Sequence, residues 1–236
     1  MAIAINNSTT YETSVANTSY TFSHTVNTSL DSPLLVIAIA AMRYGPSTES
    51  AQFTINSVTY NSVSLTEVIQ QNDSSVNRGY QTGIFTLLNP STGSNTISIT
   101  GTNTIGAIVV WAATLTGINQ ITPTGAFVGD ITDGPPLDVD ITTTALNSFI
   151  ICMASERGDT DTNYVAATNT TEVADLHANA GNPGDTRVQG AVGTRQTTST
   201  ETYSVGFSTT GSRPGDQIVA VEFIESINFV PRILVF

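Results

Sequence analysis

Glu156-Arg157-Gly158-Asp159-Thr160-Asp161-Thr162-Asn163 is the stretch whose residue types and spacing come nearest to chemistry. Oxygen ligands at alternate positions are how a calcium loop begins, because a hard cation takes several carboxylate and carbonyl oxygens from one tight turn. Asp159, Asp161 and Asn163 are therefore the candidate metal ligands, and calcium is the candidate cofactor. The loop pattern then breaks off: Tyr164 stands where the sixth residue should be Gly, and Thr170 where the twelfth should be Glu. The competing reading is a solvated acidic loop.

Asp130, Asp133, Asp138 and Asp140 form a second acidic cluster, and paired carboxylates can hydrolyse glycosides. They fall in a Pro-containing stretch with no aromatic platform, and Trp111 is the single tryptophan. A sugar-binding surface would have to stack its rings on Tyr44, Tyr60, Tyr80, Tyr164 or Tyr203. His24 and His177 are the two histidines, so a hydrolase triad would need one of them. No Gly-X-Ser-X-Gly elbow accompanies them, and Gly206-Phe-Ser-Thr-Thr-Gly211 has the wrong spacing. His24 alternates with Tyr20 and Phe22 and reads as a strand residue at a sheet face. Cys152, alone of its kind, sits in an apolar run and reads as a small buried hydrophobe. No catalytic residue is expected.

Charged residues make up 11% of the 236, well under the usual quarter or so, and there is no lysine. Hydroxyls and amides must therefore carry the solubility. With a net charge of -12 and no basic cluster, binding to phosphate backbones by counterion release is disfavoured. The first residues lack the basic and long apolar regions of a secretory signal, so synthesis in the cytoplasm is the expectation. The longest apolar runs, 34–42 and 106–115, are about half of the ~20 residues a membrane helix needs.

The elements that must position these residues read as strands throughout. Ser19–Val26 alternates, as a half-buried strand does, and Leu34–Met42 is apolar on both faces. Residues 58–60 and 63–69 suggest a hairpin around Asn61-Ser62. Gln81–Ile118 divides into three runs, with turns expected at Pro90–Gly93 and Thr102–Thr104. In the third run Val109, Trp111 and Leu115 are the candidate core, and Ile108, Val110 and Ala112 on the opposite side must also be covered. After a connector at 121–136 the order of features returns in 137–225, ending in Gln217–Ile224, whose Glu222 suggests a wet face. The expected fold is all-β: a large antiparallel β-sandwich of jelly-roll or Greek-key type, built from two diverged, duplicated halves (19–120 and 137–225) with an N-terminal arm or edge strand at 1–18.

The residues after 225 are strongly apolar. Ile227, Phe229, Val230, Ile233, Leu234, Val235 and Phe236 would each forgo roughly 1.5–3 kcal/mol of burial if left in water. They are expected to form a final strand or an arm that docks on a neighbour; ten extended residues reach about 33 Å.

Tyr20–Val26 before Leu34–Ala38, then Val58–Leu65, then Phe85–Gly93 before Thr96–Thr100, and finally Ala112–Gln120 give an order of features that resembles duplicated β-sandwich modules of phage structural proteins and bacterial surface proteins. The resemblance covers mainly the first half and implies no catalytic residues. It implies a structural or adhesive role; with the missing secretory signal, the acidic lysine-free composition and the apolar residues after 225, the expectation is a structural subunit of a virus-like particle, a capsid decoration or fibre protein, located in the virion or an assembled extracellular particle and partnered by copies of itself or other virion proteins. The alternative it leaves is a carbohydrate-binding adhesive module with a surface glycan as partner.

Overall fold

The computed structural model describes residues 2–43, 54–73, 79–132, 134–156, 163–178, 187–209 and 215–226. Its strands in chain order are β1 (Ala4–Thr13), β2 (Asn17–Val26), β3 (Leu34–Arg43), β4 (Ile55–Tyr60), β5 (Val63–Ser64), β6 (Thr66–Asp73), β7 (Tyr80–Leu88), β8 (Gly93–Thr116), β9 (Thr124–Thr132), β10 (Leu137–Thr142), β11 (Phe149–Glu156), β12 (Val165–Ala166), β13 (Thr171–Ala178), β14 (Val188–Gln196), β15 (Thr202–Ser208) and β16 (Asp216–Phe223). All pairings are antiparallel, and among the described residues there is no helix, hence none long and apolar enough to cross a membrane. The all-β sandwich expected from the sequence is the fold that forms, with four layers.

Strand β8 belongs to two of them. Its first part pairs with β2 and β4, its second with β1 and β3, so one uninterrupted strand passes from an outer layer to an inner one. The turn expected at Thr102–Thr104 does not form; those residues remain extended within β8. The inner layer then runs β1-β8-β3-β7-β6, and the outer one β2-β8-β4-β5. Residues 124–223 repeat this order: an inner sheet β9-β16-β11-β14-β13 and an outer sheet β10-β15-β12. The stretch 121–136, expected as a connector, contains β9 and thereby supplies the edge strand of the second inner sheet. The hairpin at 58–69 is shorter than expected. Asn61 and Ser62 have φ of 48° and 65°, the twist a two-residue hairpin turn wants, but the chain leaves β4 after Ser64 and crosses to β7 as β6.

The two inner sheets face each other, which explains the strands that are apolar on both sides. Leu34, Val36, Ala38, Ala40 and Met42 of β3 point into the core between the halves, while Leu35, Ile37, Ile39 and Ala41 point into the core of the first sandwich. In β8, Val109, Trp111 and Leu115 lie in the central core, opposite Met153, Val192, Val219 and Val221. Ile108, Val110 and Ala112 are covered by the outer layer of their own half rather than by another subunit. The wet face expected of Gln217–Ile224 is absent: every residue of β16 is buried, because Ile218 and Ala220 pack under β10 and β15 as tightly as Val219 and Val221 pack against the first half.

Truncating Trp111 to Ala would leave a cavity between sheets that cannot collapse independently. The expected loss is about 3–5 kcal/mol of unfolding free energy, read from the urea midpoint at unchanged slope. Val63→Ala, at a half-exposed position on β5, is expected to shift it by less than about 0.5 kcal/mol.

Candidate functional site

The residues singled out for chemistry are mostly absorbed by the fold. Asp159 and Asp161 lie outside the described residues, and Asn163 stands exposed just before β12. No group of three or more His, Cys, Asp or Glu side chains placed to hold a metal occurs among the described residues. Asp130, Asp138 and Asp140 do come together, on β9 and β10, around an open groove of about 470 Å³ shared with Ser204. All three carboxylates are exposed and solvated; Asp133 lies outside the described residues. The tyrosines that a sugar platform would need are core residues instead. Tyr60, Tyr80, Tyr164 and Tyr203 are at most 5% exposed, and Tyr44 lies outside the described residues.

Cys152 is buried, and burial pushes its thiol up to about 12, so no thiolate forms near neutrality. His24 bridges two layers: one ring nitrogen meets the Thr9 hydroxyl at 2.9 Å, the other the Thr114 hydroxyl at 2.9 Å. With His24 and Thr114 both sealed from solvent, no reacting molecule reaches this pair. Burial lowers the His24 pKa to about 4, so the ring is neutral where the protein works as a folded chain. His177, on β13, holds Asp175 through Nε2 at 3.0 Å, and its backbone N–H donates to Glu12 Oε2 at 2.7 Å, fastening β13 to β1 of the other half.

Glu222, which reads as solvent-facing, is instead buried and held by several donors. The Glu222 carboxylate accepts from the backbone N–H of Ala126, at 2.8 Å, and from those of Thr144 and Ala145, and from the hydroxyls of Thr144, at 2.8 Å, and Ser148, at 2.6 Å. It thereby ties β16 to β9 and to the turn between β10 and β11. Burial by itself raises its pKa, but the donors at Ser148, Ala126 and Thr144 outweigh burial and hold the carboxyl below its ordinary range. Gly125 is fixed by the same geometry, since a Cβ there would overlap the Glu222 carboxylate and the Thr144 hydroxyl. Glu222 shares its strand face with Ile218 and Ala220, and an acid on an apolar face was the available signal for a pinned carboxylate.

Register makes the two polar pins counterparts. Leu34 pairs with Leu115 and Leu35 with Thr114; Phe149 pairs with Phe223 and Ile150 with Glu222. Thr114, which holds His24, and Glu222 thus occupy the same place in the two halves.

The surface with the most distinctive chemistry lies where the halves meet at the β6 and β9 edges. Val68, Leu87, Leu88, Pro123 and Phe127 line a groove of about 420 Å³, with Glu67 at its side. Phe127 is 59% exposed, and Ile121, just before Pro123, is 91% exposed. The last described residues are bonded next to this groove: Ile224 N–H donates to Pro123 O at 3.0 Å, and Ser226 N–H to Gly117 O at 2.8 Å. The expected arm residues Ile227, Phe229, Val230, Ile233, Leu234, Val235 and Phe236 lie beyond, outside the described residues. No protein-family model, no curated protein and no solved structure matches this chain.

Both pins make stability fall in acid. The depressed His24 pKa means that the unfolded chain takes up its proton first, so stability present above about 6.5 declines as pH falls toward about 4. Glu222, also depressed, adds its loss below the unfolded value of 4.5. Chemical denaturation across pH 4–8 is expected to show this decline, and His24→Gln to flatten it between about 6.5 and 4. Glu222→Gln replaces an acceptor oxygen by a donor facing donors and is expected to cost about 3 kcal/mol or more at pH 7, measured the same way.

Proposed function

We propose that this chain is a non-catalytic structural subunit, a capsid decoration or fibre protein of a virus-like particle, that assembles through the apolar residues following Ser226. The observation that carries the reading is the margin where Ser226 is hydrogen-bonded. The last described residues, Ile224 on Pro123 and Ser226 on Gly117, bond to the stretch that carries the exposed Ile121 and leads into the exposed Phe127, and the sequence after Ser226 is apolar. Exposed apolar side chains that adjoin an apolar groove, as Phe127 does, mark a place where another surface can be received.

Three further features support it. Of the groups considered above, His24 and Glu222 are spent on holding strands and layers together, and the Cys152 thiol is sealed in the core. The lysine-free surface and net charge of -12 keep copies apart except where a specific contact overcomes the repulsion. The repeated strand order fits two modules descended from one by duplication, in keeping with the modules that the sequence resembles.

Mass in solution over a range of concentrations, together with electron micrographs, tests the reading. The full chain is expected to form species larger than one chain, and the chain lacking residues 227–236 to remain single. A full chain that stays a monodisperse monomer at every concentration would overturn it.

A further inference from the structure

We infer that the groove between β6 and β9 is the receptor for residues 227–236 of a second copy of this chain, and that two copies exchange these segments reciprocally. The inference rests on the assembly reading above and names the surface on which assembly occurs.

Chemistry matches segment to groove. The segment carries seven apolar side chains and one charge, Arg232. The groove is floored by Val68, Leu87, Leu88, Pro123 and Phe127 and carries one carboxylate, Glu67. In a chain of net charge -12, a lone arginine within an apolar run is the natural partner for a lone glutamate beside an apolar groove.

Direction decides in favour of a second copy. Phe127 lies opposite Val221, and Thr124 opposite Phe223; beyond that, Ile224 meets Pro123 and Glu225 meets Ile118. Along the register, Ile224 and Glu225 therefore lie successively farther from Phe127 than Phe223 does. Filling its own groove would require a reversal immediately after Ser226, within Ile227-Asn228-Phe229-Val230. That stretch has no glycine, and Asn228 alone in it is of a type that tight turns favour, between the β-branched or aromatic Ile227, Phe229 and Val230. Continuing straight, ten residues reach up to about 33 Å, whereas Pro123 to Phe127 spans only about 13 Å of strand.

Closure follows from position. Donor segment and acceptor groove share one margin, so seating the segment of one copy brings that copy's own groove next to the other's segment. The contact is then satisfied twice about a two-fold axis and closes as a dimer rather than propagating as a filament.

Complementation between two defective chains is the test. Phe127→Asp spoils the groove at an exposed position and leaves the segment intact; deletion of 227–236 removes the segment and leaves every described strand and the groove intact. Analytical ultracentrifugation of full chain, each variant alone and their mixture is expected to give a dimer for the full chain. Self-association of each variant alone should weaken by roughly tenfold or more, and the mixture should form a 1:1 pair. Circular dichroism and thermal melts check that both variants are folded; if Phe127→Asp is not, Glu67→Arg serves in its place, with Arg232→Glu expected to restore its self-association. If the groove variants dimerise like the full chain while the deletion does not, the assembly reading stands and the groove assignment is overturned. No 1:1 pair from two folded, individually monomeric variants would overturn exchange between copies. A full chain that is itself monomeric overturns both.

Discussion

Two five-stranded sheets pressed face to face impose the conditions that the rest of the chain obeys. A sheet covered on both sides has little room for polar residues, so β3, β11 and the second part of β8 are apolar at nearly every position, and β16 is polar only at Asp216, Gln217 and Glu222. Each inner sheet then needs an outer layer to cover its second face, and the outer layers are narrower and alternate, because water reaches their far sides. Four layers and three cores follow from this one contact. Its free energy is hydrophobic and therefore non-directional, which leaves register and orientation to be set by something else.

Polar groups within the stack supply that direction. A hydroxyl pair, Thr82 and Ser155, joins the two inner sheets, and the Gln217 side-chain amide donates to Tyr80 O at 3.2 Å across the same contact. His24 fixes an outer strand over an inner one, and Glu222 fixes β16 to β9 and to a turn. Each sits where a one-residue slip would leave a donor or acceptor without a partner in a medium that cannot solvate it. Such groups select one arrangement among the many that apolar burial alone would tolerate.

Most strands were legible because period-two alternation and double-sided apolar runs survive in the sequence. Ser19–Val26 and Leu34–Met42 can be placed from alternation and an unbroken apolar run, and they coincide with β2 and β3. The misreadings have physical causes. Thr102–Thr104 reads as a turn by composition, yet β8 stays extended there because β-branched threonines suit a strand that bends between layers. Gly125 and Gly129 read as connector residues, whereas they are small because Glu222 and Gln71 occupy the space that a side chain would take. Glu222 reads as a surface residue since carboxylates usually are; its donors come from residues 74 to 96 positions away, a separation that no local pattern encodes. The groove between β6 and β9 was illegible for the same reason, because its walls come from opposite halves.

The repeated strand order within a single chain also bears on how its margins can differ. In a pair of identical subunits, any substitution at the contact appears twice, and both rims of the interface change together. Here each rim is encoded separately. One, at β1 and β13, is latched by the Glu12 carboxylate on the His177 N–H; the other, at β6 and β9, is apolar and open around Phe127. Two halves of like strand order that are encoded separately are thus free of symmetry, and a latched rim and an open apolar rim coexist on one body.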